Sequence, residues 1–418
     1  MNKPTLYLTY DGLTDPLGQS QVLPYLLGLS KKGWNISVVS FEKKDRFENG
    51  KKAVSAICKQ NNIEWHPQRY HKNPPVLSTL KDISQMRKTV SRIVKLHQPK
   101  IIHCRSYLPM LVALPFQKRG IKVIFDMRGL WADERVDGNI WKIKNPLFNS
   151  IFKYFKRKEK KFFHKADAIV SLTKAAIPFI KQHNPKGEIT LIPTAVDLNL
   201  FDPIKIKEDD KVKLKNKLGI SNEYILGYSG SLGTWYLLKE MLVFYSALLK
   251  QNSFAKFLIL SQDDPKELVE FAQRSSIPLD NIIIKKVDRT AMPLYLSIMD
   301  ASVFFIQPKF SKIASSPTKL GELMAMGIPI ICNDGVGDVK EIVEKYKAGI
   351  VLSKFDENEF KNAVTLVLKG DYFERDIMMK GAYEYYDLKL GVEKYDAIYT
   401  RLTNLNPSTS SGNHTSEV

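Results

Sequence analysis

The run SSPTKLGELMAMGIP, residues 315–329, reads as a turn opening into a helix, and it sits between two short apolar runs, 301–306 and 328–332. Ser316 suits the N-cap and Pro317 the first helical position, where a missing N–H costs nothing. The strand, helix, strand order extends in both directions. Short β-rich runs at 5–10, 36–41, 101–104, 123–126, 168–172 and 189–192 make one series. Runs at 224–228, 256–260, 281–285, 301–306, 328–332 and 349–352 make a second, with helical patterns between them. Apolar strands of this kind need helices on both faces, so the expected class is α/β: two doubly wound, Rossmann-like parallel-sheet domains.

The periodic pattern lapses at 197–221, where Asp202, Pro203 and the mixed-charge stretch 205–217 intervene. Domains are therefore expected at 1–200 and 205–382. Residues 383–404 carry aromatic and aliphatic side chains at helical spacing. That helix either packs back on the first domain or stays in the core of the second. The polar tail 406–418, NPSTSSGNHTSEV, is expected to be disordered.

With 418 residues, 44% hydrophobic and 26% charged, the chain is neither collagenous nor a disulfide scaffold. Lys and Arg number 63 against 44 Asp and Glu, a formal net charge of +19. Such a field attracts anions: nucleic acid, an anionic membrane face or phosphorylated small molecules. Cys58, Cys104 and Cys332 are far apart and form no CxxC pair, which fits a reducing cytoplasm. No apolar run approaches the roughly 18 residues of a membrane span, and the N-terminus leads straight into a strand pattern. A soluble or peripheral protein is expected.

Chemistry concentrates at the quoted segment. The N–H groups of Thr318 and Lys319 open a helix, a natural phosphate site. Lys319, third in the helix if Ser316 is the cap, opposes the helix dipole by about 0.3–1 kcal/mol, a cost more easily understood if an anion is bound. Glu322 lies on the same face one turn deeper, where a carboxylate can hold a ribose diol. The turn GYSGSLGT, 227–234, places Gly230, Ser231 and Gly233 where backbone can approach a diphosphate, although a strand-to-helix turn needs glycines for its own geometry. On the first domain Asp126 and Arg128 leave a buried-type strand on the same side, facing a ligand or stitching strand ends together.

In their order along the chain, Gly18-Gln19-Ser20, Ile101-Ile102-His103, FDMRGLW at 125–131, IPTAVD at 192–197, Gly230-Ser231-Leu232-Gly233 and 316–327 resemble the retaining glycosyltransferases of family 4, of bacterial surface-polysaccharide type. The resemblance implies the GT-B fold, two Rossmann-like domains facing a cleft. A nucleotide-diphosphate sugar would bind the second domain and a saccharide or lipid-linked saccharide the first. Glu322 would then take the ribose, and Ser316, Thr318 and Lys319 the pyrophosphate above the loop of Gly230, Ser231 and Gly233. The base would rest near residues 286–289. Asp126, Arg128, Lys319 and Glu322 are the catalytic candidates, Arg128 as a stabiliser of the departing phosphate, since a guanidinium cannot act as a base. Gly18, Gln19, His103, Arg105 and Glu134 fall on the acceptor side.

Two departures stand out. Many relatives carry an acid eight residues before the position of Glu322, where this chain has Ala314, and basic residues after the glycine loop, where it has Thr234, Trp235 and Tyr236. Lys319 and Lys312 are then expected to neutralise the phosphates. A DxD metal anchor is absent, so neither a divalent ion nor another cofactor is expected.

Residues 141–165 hold nine Lys/Arg and one acid, interleaved with phenylalanines. Lys153, Lys156, Arg157, Lys160 and Lys161 suggest a helix lying on an anionic membrane, with a solvated helix whose phenylalanines join the core as the alternative. No nucleic-acid module is visible, so nucleic acid is not an expected partner. The expected place is cytoplasmic, peripheral on the inner membrane face. The rival readings are a nucleotide-sugar epimerase of the same fold and a non-enzymatic basic protein binding membrane or nucleic acid.

Overall fold

The computed structural model describes residues 3–370 and 373–404; the tail 406–418 lies outside them. Two parallel sheets carry the architecture. The first comprises β1 (Lys3–Thr9), β2 (Trp34–Glu42), β3 (Ile63–Arg69), β4 (Ile101–Arg105), β5 (Lys122–Asp126), β6 (Ala168–Ser171) and β7 (Glu188–Leu191), in the order β3-β2-β1-β4-β5-β6-β7. The second comprises β8 (Ile225–Ser229), β9 (Lys256–Leu260), β10 (Ile282–Lys285), β11 (Ala301–Val303), β12 (Ile330–Asn333) and β13 (Gly349–Leu352), in the order β10-β9-β8-β11-β12-β13. This is the doubly wound pair expected from the strand runs.

Both faces of each sheet are covered, which is why the strands read as apolar without alternation. Leu6, Leu8, Ile102, Cys104 and Phe125 pack into one buried cluster, while their neighbours Tyr7, Ile101 and Ile124 pack into another on the opposite face. Register aligns the strand exits: Arg105 pairs with both Thr9 and Asp126. The order reverses between β1 and β4 in the first sheet and between β8 and β11 in the second. Ligands of open α/β sheets bind at such switch points, beyond the carboxyl ends of the strands.

The C-terminal helical stretch splits at Asp387. Helix Arg375–Tyr386 stays on the second domain, where Gly381 lies against Tyr346 and Met324. Helix Leu388–Asn404 crosses back to the first. There Trp34 Nε1 donates to Asp396 at 2.7 Å, and Val392, Tyr395 and Tyr399 join a first-domain core cluster. The crossing point is pinned to the linker, with Val196 N bonding Tyr386 O at 2.8 Å and the Gln21 amide clamping Ala195 through both of its atoms, at 2.8 and 3.1 Å. A Cβ on Gly28 would stand 2.4 Å from Val392 Cγ2, so the returning helix seats where the first domain has no side chain. Gly28→Val is expected to destabilise the protein by about 1–3 kcal/mol in urea unfolding, through overpacking, and a second change, Val392→Ala, to recover part of that loss. An unchanged unfolding midpoint for Gly28→Val would refute this packing.

Candidate functional site

The strand exits of the two sheets face each other across a cleft of about 430 Å³. Tyr10, Asp11, Arg105, Arg128 and Trp131 line its first-domain wall, and Trp235, Tyr236, Lys312, Ser316 and Thr318 its second. Side chains tie the walls together around the opening. The Asp338 carboxylate accepts from Lys174 N at 2.7 Å, Ala175 N at 2.9 Å and Tyr385 OH at 2.7 Å. Lys312 Nζ bridges to Glu134 at 3.1 Å and lies 3.6 Å from the Trp235 ring centre.

The helix at the quoted segment runs Thr318–Met326, one residue later than expected. Pro317 is extended and occupies the N-cap, no side chain caps the helix, and Lys319 is second rather than third. The reason lies across the cleft: the Ser316 hydroxyl is 3.0 Å from Thr194 Oγ1 on the linker and serves the domain contact instead. The opening N–H groups are thereby left uncapped beside the cleft, where the helix dipole favours an anion.

Lys319 is 7% exposed and its ammonium has no hydrogen-bond partner. It sits 3.8 Å from the Tyr236 ring centre and 4.2 Å from that of Tyr228, with Phe304 beyond. Burial drives its pKa well below the usual lysine value, with Glu322 acting in the opposite direction. Gly230, at φ +138°, passes directly above: a Cβ there would come within 2.6 Å of Lys319 Nζ. The glycine loop is held by Asp263, which accepts from Leu232 N at 2.8 Å, and Ser231 and Gly233 stand exposed at its rim. Glu322 is paired with the Arg289 side chain at 3.0 Å. Arg289, in the region 286–289 where the base is expected to rest, thus grips the ribose candidate through its side chain.

On the first domain, Arg128 adopts φ +58° and reaches the cleft, but Asp126 does not. Asp126 is 1% exposed and accepts from Tyr395 OH at 2.9 Å, with His103 Nε2 at 3.4 Å. Burial alone would raise its pKa; Arg128, His103 and Arg105 together hold it below the usual carboxylate value. His103 is also buried, its Nδ1 2.7 Å from Tyr399 OH, and burial lowers its pKa. The two residues therefore anchor the returning helix behind the cleft wall, and neither lines the cleft. Arg105 does line the cleft, fixed by Asp11 at 3.0 Å through Nε.

Gly18 and Gln19 lie within helix Pro16–Gln21 rather than in an open loop. Gly18 is there for close approach, since a Cβ would collide with Gly12 O at 1.9 Å. The preceding loop does present amides to an anion, but that anion is internal: the buried Glu42 carboxylate accepts from Leu13 N at 2.8 Å and Thr14 N at 3.1 Å. Glu134 is engaged by Lys312. Ala314 packs in the core cluster of the first domain, so an acid at this position would be buried in apolar surroundings.

The basic segment forms helix Pro146–Lys165. Phe155, Phe162 and Phe163 join the core, while Lys153, Arg157, Lys160 and Lys161 are exposed. Lys156 belongs elsewhere: it pairs with Asp133 at 2.7 Å and with the buried Glu159 at 2.5 Å, so its charge is already matched. Ile140 and Ile143, with Leu147 at 56% exposure, are exposed at and before the start of this helix.

Two family models match the chain in succession. The family model described as Glycosyltransferase Family 4 matches residues 21–200, and that described as Glycosyl transferases group 1 matches 210–385. An alpha-monoglucosyldiacylglycerol synthase of Streptococcus pneumoniae is 27% identical over 175 residues, 41% of this chain and 38% of the synthase. The alignment thus spans well under half of that relative. Anabaena HepE, solved with UDP and glucose, superposes with a TM-score of 0.67 at 15% identity, covering 97% of this chain and all of that one. A sucrose-phosphate synthase of Thermosynechococcus elongatus superposes at 0.70 with 14% identity, again over 97% of this chain and the whole of the other. At such identities the structures speak for the fold alone, but two glycosyltransferase modules, matched in order, the first taking in β2 to β7 and the second all six strands of the second sheet, place the chain among the GT-B glycosyltransferases.

Proposed function

We propose that the chain moves a sugar from a nucleotide-diphosphate sugar to a hydroxyl of a saccharide or lipid-linked saccharide, with retention at the anomeric carbon, in cell-surface polysaccharide synthesis. One observation carries the reading: an uncapped helix start faces the cleft, with Lys319 caged behind it and Glu322 one turn deeper. The donor's diphosphate rests on the N–H groups of Thr318 and Lys319, beneath Gly230, Ser231 and Gly233. Glu322, oriented by Arg289, holds the ribose. Lys312, Lys319 and Arg128 meet the charge that builds on the leaving diphosphate, which supports a reaction without a divalent ion. Asp126 lies behind Arg128 and Glu134 is bridged to Lys312, and this favours attack on the face the diphosphate leaves. In that step the bond from the anomeric carbon to the phosphate oxygen breaks as the bond to the acceptor oxygen forms. The phosphate oxygen takes the acceptor's proton.

A lipid-linked acceptor is supported by two things. The pneumococcal synthase is named for a glucosylated diacylglycerol. Helix Pro146–Lys165 presents Lys153, Arg157, Lys160 and Lys161, with Ile143 and Leu147 exposed at its start, and anionic lipid attracts each cation near the surface by about 1 kcal/mol. Among the described residues no helix is long and apolar enough to cross a membrane. The association we propose is peripheral, on the cytoplasmic face.

Glu322→Ala and the volume-conserving Lys319→Met are each expected to lower release of nucleotide diphosphate by about 100-fold while melting like the parent protein. Full turnover in both would reject the assigned site, and donor consumption needing no acceptor would point to an epimerase instead. The caged amine adds a pH signature. Its pKa is depressed in the free protein and raised by a bound diphosphate, so binding takes up a proton, and affinity for UDP or GDP falls as pH rises through the depressed value. Calorimetry in two buffers of different ionisation heat is expected to record that uptake, and Lys319→Met to abolish it; equal heats in the parent protein would contradict it. Changing Lys153, Arg157, Lys160 and Lys161 to glutamine is expected to weaken flotation with phosphatidylglycerol vesicles. Unchanged flotation would refute the membrane role.

A further inference from the structure

We propose that the first-domain wall is an oxyanion site built by Arg105 and flanked by Arg128, so that the acceptor carries a carboxylate or phosphate group close to the hydroxyl that is glycosylated. The inference rests on the glycosyl-transfer reading and adds the chemical class of its acceptor.

The side chain of Arg105 is 4% exposed and that of Arg128 8%, and both line the cleft. Burying a guanidinium is costly unless its N–H groups are bonded. Here Arg105 Nη1 and Arg128 Nε and Nη1 are buried without a hydrogen-bond partner. The local carboxylates do not satisfy them. Asp11 meets Arg105 through Nε only, and Asp126 stays 3.9 Å from Arg128 while serving Tyr395 and His103. Arg128 is also held at φ +58°, a strained backbone that persists where the surroundings fix it, as at ligand sites. With Lys312 already paired to Glu134, Arg105, Arg128 and Arg135 face a single lining carboxylate among the described residues, Asp11.

The donor does not use up this charge. Its diphosphate is met on the opposite wall by the helix start, Lys319 and Lys312, and from this side by one edge of Arg128. Arg105 leaves β4 and is braced by Asp11 beyond the end of β1, so its free Nη1 remains for a second anion. Arginine presents a planar fork matched to carboxylate and phosphate oxygens. A neutral sugar offers no partner able to discharge such a pair.

The test uses the full chain with UDP at saturation, so that the donor's phosphate site is filled, and follows the fluorescence of Trp131 and Trp235 in the cleft walls. Two matched pairs serve as probes: glucuronate against glucose for an acidic sugar, and farnesyl phosphate against farnesol for a lipid phosphate. At least one anion is expected to bind about tenfold or more tightly than its neutral counterpart. The pair showing the preference identifies the source. Arg105→Gln is expected to erase the preference and Arg105→Lys to keep part of it, while UDP affinity in both changes by less than about twofold. Binding of neither anion, or equal binding of anion and neutral partner, overturns the proposal. So does an Arg105→Gln protein, folded by its melting curve, in which the preference survives or UDP binding is lost with it. Should the parent protein bind no nucleotide diphosphate at all, the glycosyl-transfer reading itself fails, which is a separate result.

Discussion

Buried cations without bonded anions are the constraint around which this molecule is arranged. Taking a charged group out of water costs several kcal/mol even after relaxation, unless a partner restores its hydrogen bonds. Lys319, Arg105 and Arg128 all carry buried nitrogens lacking such a partner, and all sit near the carboxyl ends of parallel strands. Register brings the β1, β4 and β5 exits together on one side, and β8 and β11 are adjacent on the other. What one domain leaves unsatisfied therefore faces what the other leaves unsatisfied, across a gap of about 430 Å³.

The gap persists because the connections around it are specific. Thr194 holds Ser316, Asp338 collects two amides and a tyrosine, and Glu134 takes Lys312. The returning helix, sealed by Trp34, His103 and Asp126, fixes the far end of the linker. Residues that resemble catalytic groups in the sequence are partly spent on this framework. Few carboxylates remain at the cleft, whose lining is dominated by Arg105, Arg128, Arg135 and Lys312, a surface that attracts anions.

The fold was legible because buried parallel strands and their covering helices leave a plain mark in sequence: apolar runs at regular intervals, broken once at the linker. The returning helix was half legible, since its spacing declared a helix but distant partners, Gly28, Trp34, His103 and Asp126, decide where it lies. At the site, the local features were readable, namely the helix start, the deeper Glu322 and the glycine loop. Features made by distant residues were not. Nothing near Lys319 announces a cage whose walls come from Tyr228, Tyr236 and Phe304. Glu42 fills the amide loop beside Gly18 from 28 residues or more away, and Glu159 with Asp133 removes Lys156 from the exposed patch. The Ser316 cap failed for the same reason, because Thr194, 122 residues away, competes for its hydroxyl.

In the function we propose, the leaving diphosphate of an activated sugar rests at the start of helix Thr318–Met326. A crystal structure of the full chain soaked with UDP or GDP addresses it most directly. The expected result places both phosphates against the Thr318 and Lys319 amides, with Lys319 withdrawn from between Tyr228 and Tyr236 to meet them and the ribose on Glu322. Nucleotide bound elsewhere, with Lys319 still in its aromatic cage and that helix start bare, would contradict it.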